Sequence, residues 1–379
     1  MAQAVYTYEL RDLRTNLLLA TVPLLDVQFS KVLNDTSSLQ GTLPLPLFNS
    51  LGQRREVFEL TTPAHTCVYA YRDNTPVWGG IIWTTDYDSE ANAITIGAAD
   101  WWSYLDHRKI LPVLTGAAFS ITDHIGQLAV GYTAQYSAIA RQLLALAQAH
   151  TGGDLGIVAT TGDYGSTHER TYPGYSMTPL GDQLRNLTEN LNGPDLRFDV
   201  GPVDEQGRPT RRMLIGTPDL GAVDDHVWEW GGNLLRYKWP RDATKMRSRS
   251  FAIGEGSDRA TPIGAYEEPG LYALGWPLLE DDTGYDRTTG SATLIDNAQA
   301  DQQVLRLPVV LPTFVVNGAA YPTITEVSPG DRGRLLIRDD YHGYQPGLDT
   351  TARVVQLEVT PESETGEEIA ITAEPQVES

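Results

Sequence analysis

The sequence from Val77 to Ile110, VWGGIIWTTDYDSEANAITIGAADWWSYLDHRKI, decides the fold that we expect for the whole chain. Residues 77–86 are rich in β-branched and aromatic side chains, a composition typical of strands. Residues 87–92 are polar and turn-like, and Ala93 begins a returning strand, so the two predict a hairpin. Gly79-Gly80 lies where a strand must bend or let another backbone approach. Two adjacent tryptophans follow, and the whole segment predicts a barrel-closing hairpin with a large aromatic anchor.

The composition indicates a folded protein with several domains. The chain has 379 residues, 41% of them hydrophobic, which suggests two to four domains of roughly 150 residues each. No run approaches the roughly 18 apolar residues of a membrane span. The first 20 residues contain acids and bases where a signal peptide has an apolar core. We therefore expect a soluble protein that is made in a cytoplasm and does not insert into a membrane.

Cysteine, histidine and charge exclude several function classes. Cys67 is the only cysteine, which rules out an internal disulfide and thiolate clusters, and its strand-like surroundings predict a buried filler. The seven histidines are scattered, so we expect no metal site and no cofactor. A net charge of −21 argues against binding to nucleic-acid phosphates, which requires clustered Lys and Arg. The charge is compatible with a surface that DNA passes without specific binding.

The first 200 residues divide into a β-barrel over 1–115 and a helical module over 116–200. Residues 39–47 contain two prolines, which exclude this segment from the middle of a sheet. In the module, residues 135–150 place Ile139, Leu143 and Leu146 on one helical stripe. A second helix has Thr178 as its predicted N-cap and Pro179 at its first position. Its leucines follow at helical spacing: Leu180, Leu184, Leu187 and Leu191.

The remainder predicts a β segment over 201–260, further strands with a long loop over 261–360 and an acidic C-terminal tail over 361–379. Residues 261–290 are rich in Gly, Pro and acids and indicate a long loop. A short helix is expected over 294–305, with Leu294, Ala298 and Leu305 inward. Pro329-Gly330-Asp331 is a competent tight turn before a strand. After Pro361 there are six acids and no Lys or Arg, although residues 367–372 could still pair as an edge strand.

Two groups of residues are candidates for contacts with neighbouring subunits. Residues 236–249 contain six Lys or Arg and one acid, which indicates either a solvated strand pair or an electrostatic contact with an acidic subunit. The second group is aromatic and lies in the predicted loop. The candidates are Arg236, Lys238, Arg241, Lys245, Arg247, Arg249, Tyr266, Tyr272, Trp276 and Tyr285.

No motif predicts catalysis. A glycosidase needs two carboxylates across a cleft, and 49 Asp and Glu residues single out no pair. Asp100-Trp101-Trp102 could place a carboxylate beside sugar-stacking rings, but adjacent residues of a strand point to opposite faces. The nucleophile elbow G-x-S-x-G does not occur in the sequence. We therefore assign no catalytic residues and expect a protein that is not an enzyme.

The order of short motifs resembles the tail hub proteins of long-tailed bacteriophages, often called minor tail proteins in phages of actinobacteria. The hairpin and the segment after it carry the resemblance, together with Arg170-Thr171-Tyr172, residues 182–187 and the 329–331 turn. On the basis of this resemblance we assign a structural role to the following motif residues: Trp78, Gly80, Asp100, Trp102, Tyr104, Leu105, Arg108, Pro329, Gly330 and Asp331.

The resemblance implies a mainly β fold with an α insert (α+β): two tube-forming β-barrels, the second over 261–360 with the long loop 261–290, and a small helical module. It also implies a structural role at the tail tip, as a homotrimeric hub ring that joins the tail tube to the tip. The expected partners are other copies, the distal tail protein ring, other tail-tip proteins and the tape-measure protein. The alternative from another class is a β-rich module that binds carbohydrate or a receptor through exposed aromatic residues.

Overall fold

We describe residues 4–50, 56–114, 125–190, 192–285 and 290–376 of a computed structural model. The chain forms two compact units. The main unit contains residues 1–237 and 314–379, and the inserted unit contains residues 238–313. Among the described residues, none of the helices is long and apolar enough to cross a membrane.

The first part of the main unit contains seven strands and three short helices. The strands are β1 (Tyr6–Asp12), β2 (Leu18–Val22), β3 (Leu25–Val32), β4 (Ser38–Pro44), β5 (Thr66–Arg72), β6 (Thr75–Asp88) and β7 (Ala93–Ala99). The helices are α1 (Leu45–Ser50), α2 (Val57–Leu60) and α3 (Trp101–Asp106). The predicted hairpin is β6 and β7, which pair antiparallel. The two tryptophans after it begin a helix, with Asp100 as its N-cap, and do not continue the strand.

The helical module follows, and its two longer helices form where leucine spacing predicts them. Its elements are β8 (Ala129–Ala134), α4 (Tyr136–Ala149), β9 (Ile157–Ala159), β10 (His168–Pro173), α5 (Leu180–Glu189), β11 (Leu196–Val203) and β12 (Pro209–Ile215). Pro179, predicted as the first helical residue of α5, is instead its N-cap with extended backbone. Leu191 lies outside the described residues.

Strands β13 (Val223–Glu229) and β14 (Leu234–Lys238) lead into the inserted unit. That unit contains β15 (Arg249–Ile253), β16 (Ile263–Glu267), α6 (Gly270–Ala273), β17 (Glu280–Gly284) and α7 (Ser291–Leu305). Strand β15 pairs antiparallel with β16 and parallel with β17. In α7, Leu294 and Ala298 are buried as predicted, while Leu305 is only half-buried.

The region 261–290 therefore differs from the long loop that its composition indicates. Strands β16 and β17 lie inside it, and β17 has the sequence EDDTG, which carries no apolar alternation. Such a strand is held by its pairing with β15 and by ion pairs that a local pattern does not contain.

The chain returns to the main unit with β18 (Thr313–Asn317), β19 (Arg332–Asp339), β20 (Gly343–Ser363) and β21 (Gly366–Gln376). Strand β21 lies between β18 and β20. The expected acidic tail is thus largely an interior strand, because Ile369, Ile371 and Ala373 alternate with polar residues and are fully buried.

One sheet connects both halves of the main unit, in the strand order β14-β18-β21-β20-β3-β4-β7-β6-β5-β1-β2. The halves meet where β20 pairs with β3, for example Val359 opposite Phe29. Strand β4 lies in the middle of this sheet, contrary to the prediction for residues 39–47. The prolines permit this because Pro44 is the last residue of β4 and Pro46 belongs to α1. The predicted mainly β fold with an α insert is confirmed.

The first strand group and the helical module share a core. Trp101, Trp102 and Leu105 of α3 are fully buried among residues of β5, α4, α5 and β11. Cys67 is buried there, and burial raises the pKa of its thiol to about 11 although the Arg211 guanidinium opposes this. Nη1 of Arg211 donates to the carbonyls of Leu13 and Leu155 at 2.7 Å. The guanidinium is therefore satisfied by neutral acceptors inside the core.

Candidate functional site

A polar surface runs across the strands where the two halves of the main unit meet. On β6, β7, β4, β3, β20 and β21, buried apolar residues alternate with polar or small ones that point to the opposite side. Strand registers align these outward residues into rows, such as Gln28, Gln40, Gly97 and Thr84. We call the following set the polar face: Thr84, Asp86, Thr95, Gly97, Ser38, Gln40, Thr42, Gln28, Ser30, Gln356, Glu358, Thr360, Glu368, Ala370 and Thr372.

The polar face is neutral to acidic. Its charged members are Asp86, Glu358 and Glu368, and the set contains no Lys or Arg. Arg236 of β14 donates to both carboxylate oxygens of Glu368, at 2.9 and 2.5 Å. These hydrogen bonds hold the pKa of the Glu368 carboxyl below its usual range. The Gln28 amide donates to the Glu358 carboxylate and links the two halves across the face.

A groove of about 320 Å³ crosses the polar face. It forms where Gly97 lacks a side chain, since a Cβ there would lie 2.4 Å from Oγ1 of Thr84. Gln28 and Gln40 are also among its lining residues. Trp83 forms a wall of the groove and donates from its indole nitrogen to Oγ of Ser103 at 2.8 Å. The groove thus combines amides, hydroxyls and a fixed aromatic wall.

Two strands leave open edges at the ends of this surface. Strand β14 is the terminal strand of the sheet and pairs with β18. Apart from a single bridge between Leu234 and Trp230, no further strand pairs with it among the described residues. At the other end, β6 pairs with β5 through residues 75–81 and with β7 through residues 81–88. In the described part of the chain, residues 84–88 of β6 therefore have one paired side. An open edge presents unpaired N–H and C=O groups to another strand.

The motif residues of the opening hairpin lie around α3 and the sheet next to it. Trp78 is buried and donates from its indole nitrogen to the Ser30 carbonyl at 2.9 Å. A Cβ on Gly80 would lie 2.3 Å from the carbonyl oxygen of Ala99, so β6 and β7 require glycine there. Asp100 accepts from the backbone of Trp102 at 3.0 Å and of Ser37 at 3.1 Å. Burial raises the pKa of the Asp100 carboxyl to about 7.

The remaining motif residues of this group connect α3 to the helical module. The Trp102 ring meets Phe198 edge-on at 5.6 Å, and the Arg185 guanidinium lies 5.3 Å from the Trp102 ring. The Tyr104 hydroxyl donates to the Gly153 carbonyl at 2.9 Å. Arg108 donates to the Ala147 carbonyl at 3.2 Å. Leu105 is fully buried beside them.

The 329–331 turn docks against the chain just before β13. Gly330 has φ of +103°, and a Cβ there would lie 2.7 Å from the Leu220 carbonyl oxygen. The Asp331 side chain accepts from the backbone N–H groups of Ser328 and Ala222, each at 2.7 Å. Arg197 of β11 donates to the Pro329 carbonyl. The turn therefore links the helical module to the second strand group, which consists of β13, β14 and β18–β21.

The basic candidates separate into paired and unpaired groups. In the inserted unit, Arg249 pairs with Glu267 at 2.8 Å and with Glu280 at 2.6 Å. Arg247 is buried and lies 3.5 Å from Asp281. Arg236 is occupied by Glu368, as described above. Among the described residues, three exposed candidates make no ion pair: Lys238, Arg241 and Lys245.

The four aromatic candidates are only partly available to a partner. Tyr266 and Tyr285 pack against the small core of the inserted unit, made by Ala252, Leu294 and Ala298. Tyr285 also donates to Asp301 at 2.8 Å. Tyr272 and Trp276 are half-buried.

Side-chain links between the two halves of the main unit were not predicted from the sequence. Arg72 of β5 donates to Glu367 of β21 through Nη2 at 2.9 Å, and Tyr6 donates to the same carboxylate at 2.7 Å. Arg353 of β20 donates to Asp195, which also accepts from the Asn34 amide at 3.1 Å. The partners are far apart in the chain, so no local motif contains them.

Solved structures with this architecture include tail proteins, among them tail proteins of prophages. The tail protein from Neisseria meningitidis MC58 superposes with a TM-score of 0.58 at 13% identity, covering 97% of this chain and 96% of that one. The 43 kDa tail protein of prophage MuSo2 from Shewanella oneidensis gives 0.59 at 12% identity, with coverages of 97% and 98%. This chain has a phage tail-protein fold.

A third tail protein has the same fold along its length. Prophage tail protein gp18 from Listeria monocytogenes EGD-e has a TM-score of 0.53 at 13% identity, with coverages of 97% and 94%. No family model and no curated protein matches the sequence. The tail-protein fold is therefore recognised through its architecture, at sequence identities of 12–13%.

Proposed function

We propose that this chain is a structural component of a phage tail, and that copies of it form the hub ring at the tail tip. The observation that carries the proposal is the similarity to tail proteins over 97% of this chain and nearly all of theirs. In this role the protein is a virion component, is assembled in the host cytoplasm and acts without a catalytic centre or a cofactor.

The ring closes through the open edges of the central sheet. Residues 84–88 of β6 in one copy pair with β14 of the next, so each copy presents two different edges to its two neighbours. A head-to-tail contact of this kind closes into a ring when the rotation per copy divides a full turn. Three copies, each with two strand groups, would present six groups to a sixfold tail tube.

The polar face becomes the wall of the channel in this arrangement. DNA must pass through the hub without being held, and each phosphate held by a fixed cation slows its passage. A wall of hydroxyls, amides and three carboxylates, one of them (Glu368) neutralised by Arg236, meets that requirement. The exposed Lys238, Arg241 and Lys245, with Tyr272 and Trp276, would contact the neighbouring copy or adjoining tail proteins. We include the distal tail protein ring, other tail-tip proteins and the tape-measure protein among these partners.

Electron cryomicroscopy of the particle tests the function directly. We expect density for three copies of this chain in a closed ring at the tail tip, with the polar face toward the channel. Density at the outer surface of the tail, together with binding of host glycans by the isolated protein, would contradict the hub and favour the carbohydrate-binding alternative.

Disulfide cross-linking tests the edge contact independently of imaging. The native Cys67 is fully buried, so new cysteines report on the designed contact alone. Particles carrying Thr85→Cys and Leu235→Cys together should give covalent dimers and trimers of this chain after mild oxidation. Either single variant should give monomers, and monomers from the double variant in intact particles would contradict edge pairing.

A further inference from the structure

A cluster of aromatic rings lies at one end of the second strand group, and of its members only Tyr237 belongs to a strand, β14, for which a contact is proposed above. Trp230 lies in the turn after β13, and Tyr237 lies in β14. Tyr341 lies in the turn between β19 and β20, and Tyr344 lies at the start of β20. Trp230 is 39% exposed, Tyr341 64% and Tyr344 62%. Large rings with this exposure at a cluster of turns mark a surface that binds something. We call these four residues, with Asp339 and Asp340, the aromatic patch.

The rings of the aromatic patch are fixed by direct contacts. Trp230 meets Tyr237 edge-on at 5.4 Å, and Tyr237 lies 5.7 Å from the His342 ring. Tyr341 meets the same histidine at 4.8 Å and 87°. The backbone beneath is held as well, because the Asp339 side chain accepts from the N–H groups of Tyr341 at 3.0 Å and His342 at 2.8 Å. The surface is therefore preorganised, which lowers the entropy cost of binding.

The charge within the aromatic patch is negative. Hydrogen bonds, first from the Tyr237 hydroxyl and then from the His342 N–H, hold the pKa of the Asp339 carboxyl below its usual range. Asp340 accepts from the Tyr344 hydroxyl at 2.8 Å and, among the described residues, forms no ion pair. The nearest basic neighbours in sequence are Arg236, Lys238 and Arg338, and Arg236 is paired with Glu368. Strand alternation directs them to the face opposite Tyr237 and Asp339.

We propose that the aromatic patch binds an arginine-bearing segment of a partner protein. An aromatic face attracts a cation placed over it, and the planar guanidinium also stacks on the ring. Carboxylates at the edge of the rings then accept hydrogen bonds from the same guanidinium. An acidic chain of net charge −21 is complementary to a basic partner. The alternative ligand is a neutral glycan, which would stack on the aromatic rings without forming ion pairs with the carboxylates.

The experiment uses the full-length chain labelled with 5-fluorotryptophan. Fluorine NMR reports on Trp230, whose signal is assigned with Trp230→Phe. The probe is the blocked peptide acetyl-Gly-Arg-Gly-Arg-Gly-amide. The control is the same peptide with citrulline in place of both arginines, which keeps the shape of the side chain and removes its charge. Cellotriose serves as the neutral glycan and tests whether the aromatic patch binds sugars instead. We expect saturable shifts of the Trp230 signal with the arginine peptide and at least fivefold weaker binding of the citrulline peptide.

Variants establish that the aromatic patch is the site. Tyr341→Leu and Asp340→Asn should each weaken binding of the arginine peptide severalfold, and both residues are exposed, so the thermal midpoint should not change. Tyr175→Leu, which alters a tyrosine exposed to 71% in the helical module, should leave binding unchanged. Equal binding of the two peptides, tighter binding of cellotriose, or no shift of the Trp230 signal at millimolar peptide would each overturn the proposal.

Discussion

At the scale of single residues, Trp102 shows how the sequence encodes the contact between the first strand group and the helical module. Its ring is fully buried and touches groups from both parts. Trp102→Ala should lower the free energy of unfolding by about 3–5 kcal/mol, because it removes packing and leaves a cavity. Chemical denaturation measures this change. Tyr175→Ala, at an exposed ring, should stay within about 0.5 kcal/mol of the parent, and equal losses in both variants would contradict the assignment.

The raised pKa of the Asp100 carboxyl should make the stability of the protein depend on pH. Burial raises the pKa of its carboxyl from an ordinary value of 3.8 to about 7 in the folded chain. Between these values the folded state holds a proton that the unfolded state has lost. This contribution is present at low pH and is lost as the pH rises toward 7, by at most about 1.4 kcal/mol per pH unit.

Asp100→Asn provides the matched comparison, because asparagine also caps helices but does not titrate. The difference in unfolding free energy between the parent and this variant should change with pH from 4 to 7 and stay constant above pH 8. Urea denaturation at several pH values measures this difference. A constant difference over the whole range would show that folding does not raise the pKa of this carboxyl.

At the scale of elements, ion pairs between the strand groups hold the two halves together. Arg72 and Glu367 are both largely buried, with side chains 11% and 2% exposed. Removing one partner leaves a buried charge without compensation, so Arg72→Met should cost about 3–5 kcal/mol. The double variant Arg72→Met, Glu367→Gln should recover part of this loss. Denaturant unfolding of the parent, both single variants and the double variant measures the coupling.

The pair Arg334 and Asp349 is the matched control for that cycle. It joins the paired strands β19 and β20, and its side chains are 58% and 46% exposed. Water screens such a pair, so Arg334→Met should cost about 1 kcal/mol or less. If both arginine variants lost the same stability, burial would not be the reason for the strength of the Arg72 pair.

Local patterns predicted elements, but they did not predict which distant strands meet. The hairpin of β6 and β7 and the helices α4 and α5 have clear apolar periods and tight connections, so they were found from the sequence. Strand β17, with its acidic sequence, and the pairing of β3 with β20 depend on partners elsewhere in the chain. The polar face had a signal in the alternation of Ser, Thr and Gln on β3 and β4. That signal becomes a surface only when registers across several strands are known.

At the scale of the whole molecule, the polar face makes the proposed passage of DNA testable. Gln28, Gln40 and Thr84 lie in one row of the sheet, and substitutions there change the wall without entering the core. The triple variant Gln28→Lys, Gln40→Lys, Thr84→Lys places three cations per copy on the proposed wall. A handful of contacts between fixed cations and phosphates changes DNA affinity by about 10³ or more at low salt.

Particles with this triple lysine variant should therefore eject DNA more slowly than the parent, and the delay should shrink as salt is raised, because salt weakens the hold on phosphate. Triggered ejection in vitro, followed with a DNA-binding dye, measures the rate, and electron microscopy confirms that tails are complete. Two controls separate charge from position. Glutamate at the same three positions should leave the rate unchanged, as should lysines at the exposed Val158, Tyr164 and Tyr175 of the helical module. If the lysine variant ejected DNA at the parental rate at low salt, the polar face would not contact DNA. Cations on a channel wall must attract a polyanion that passes along it.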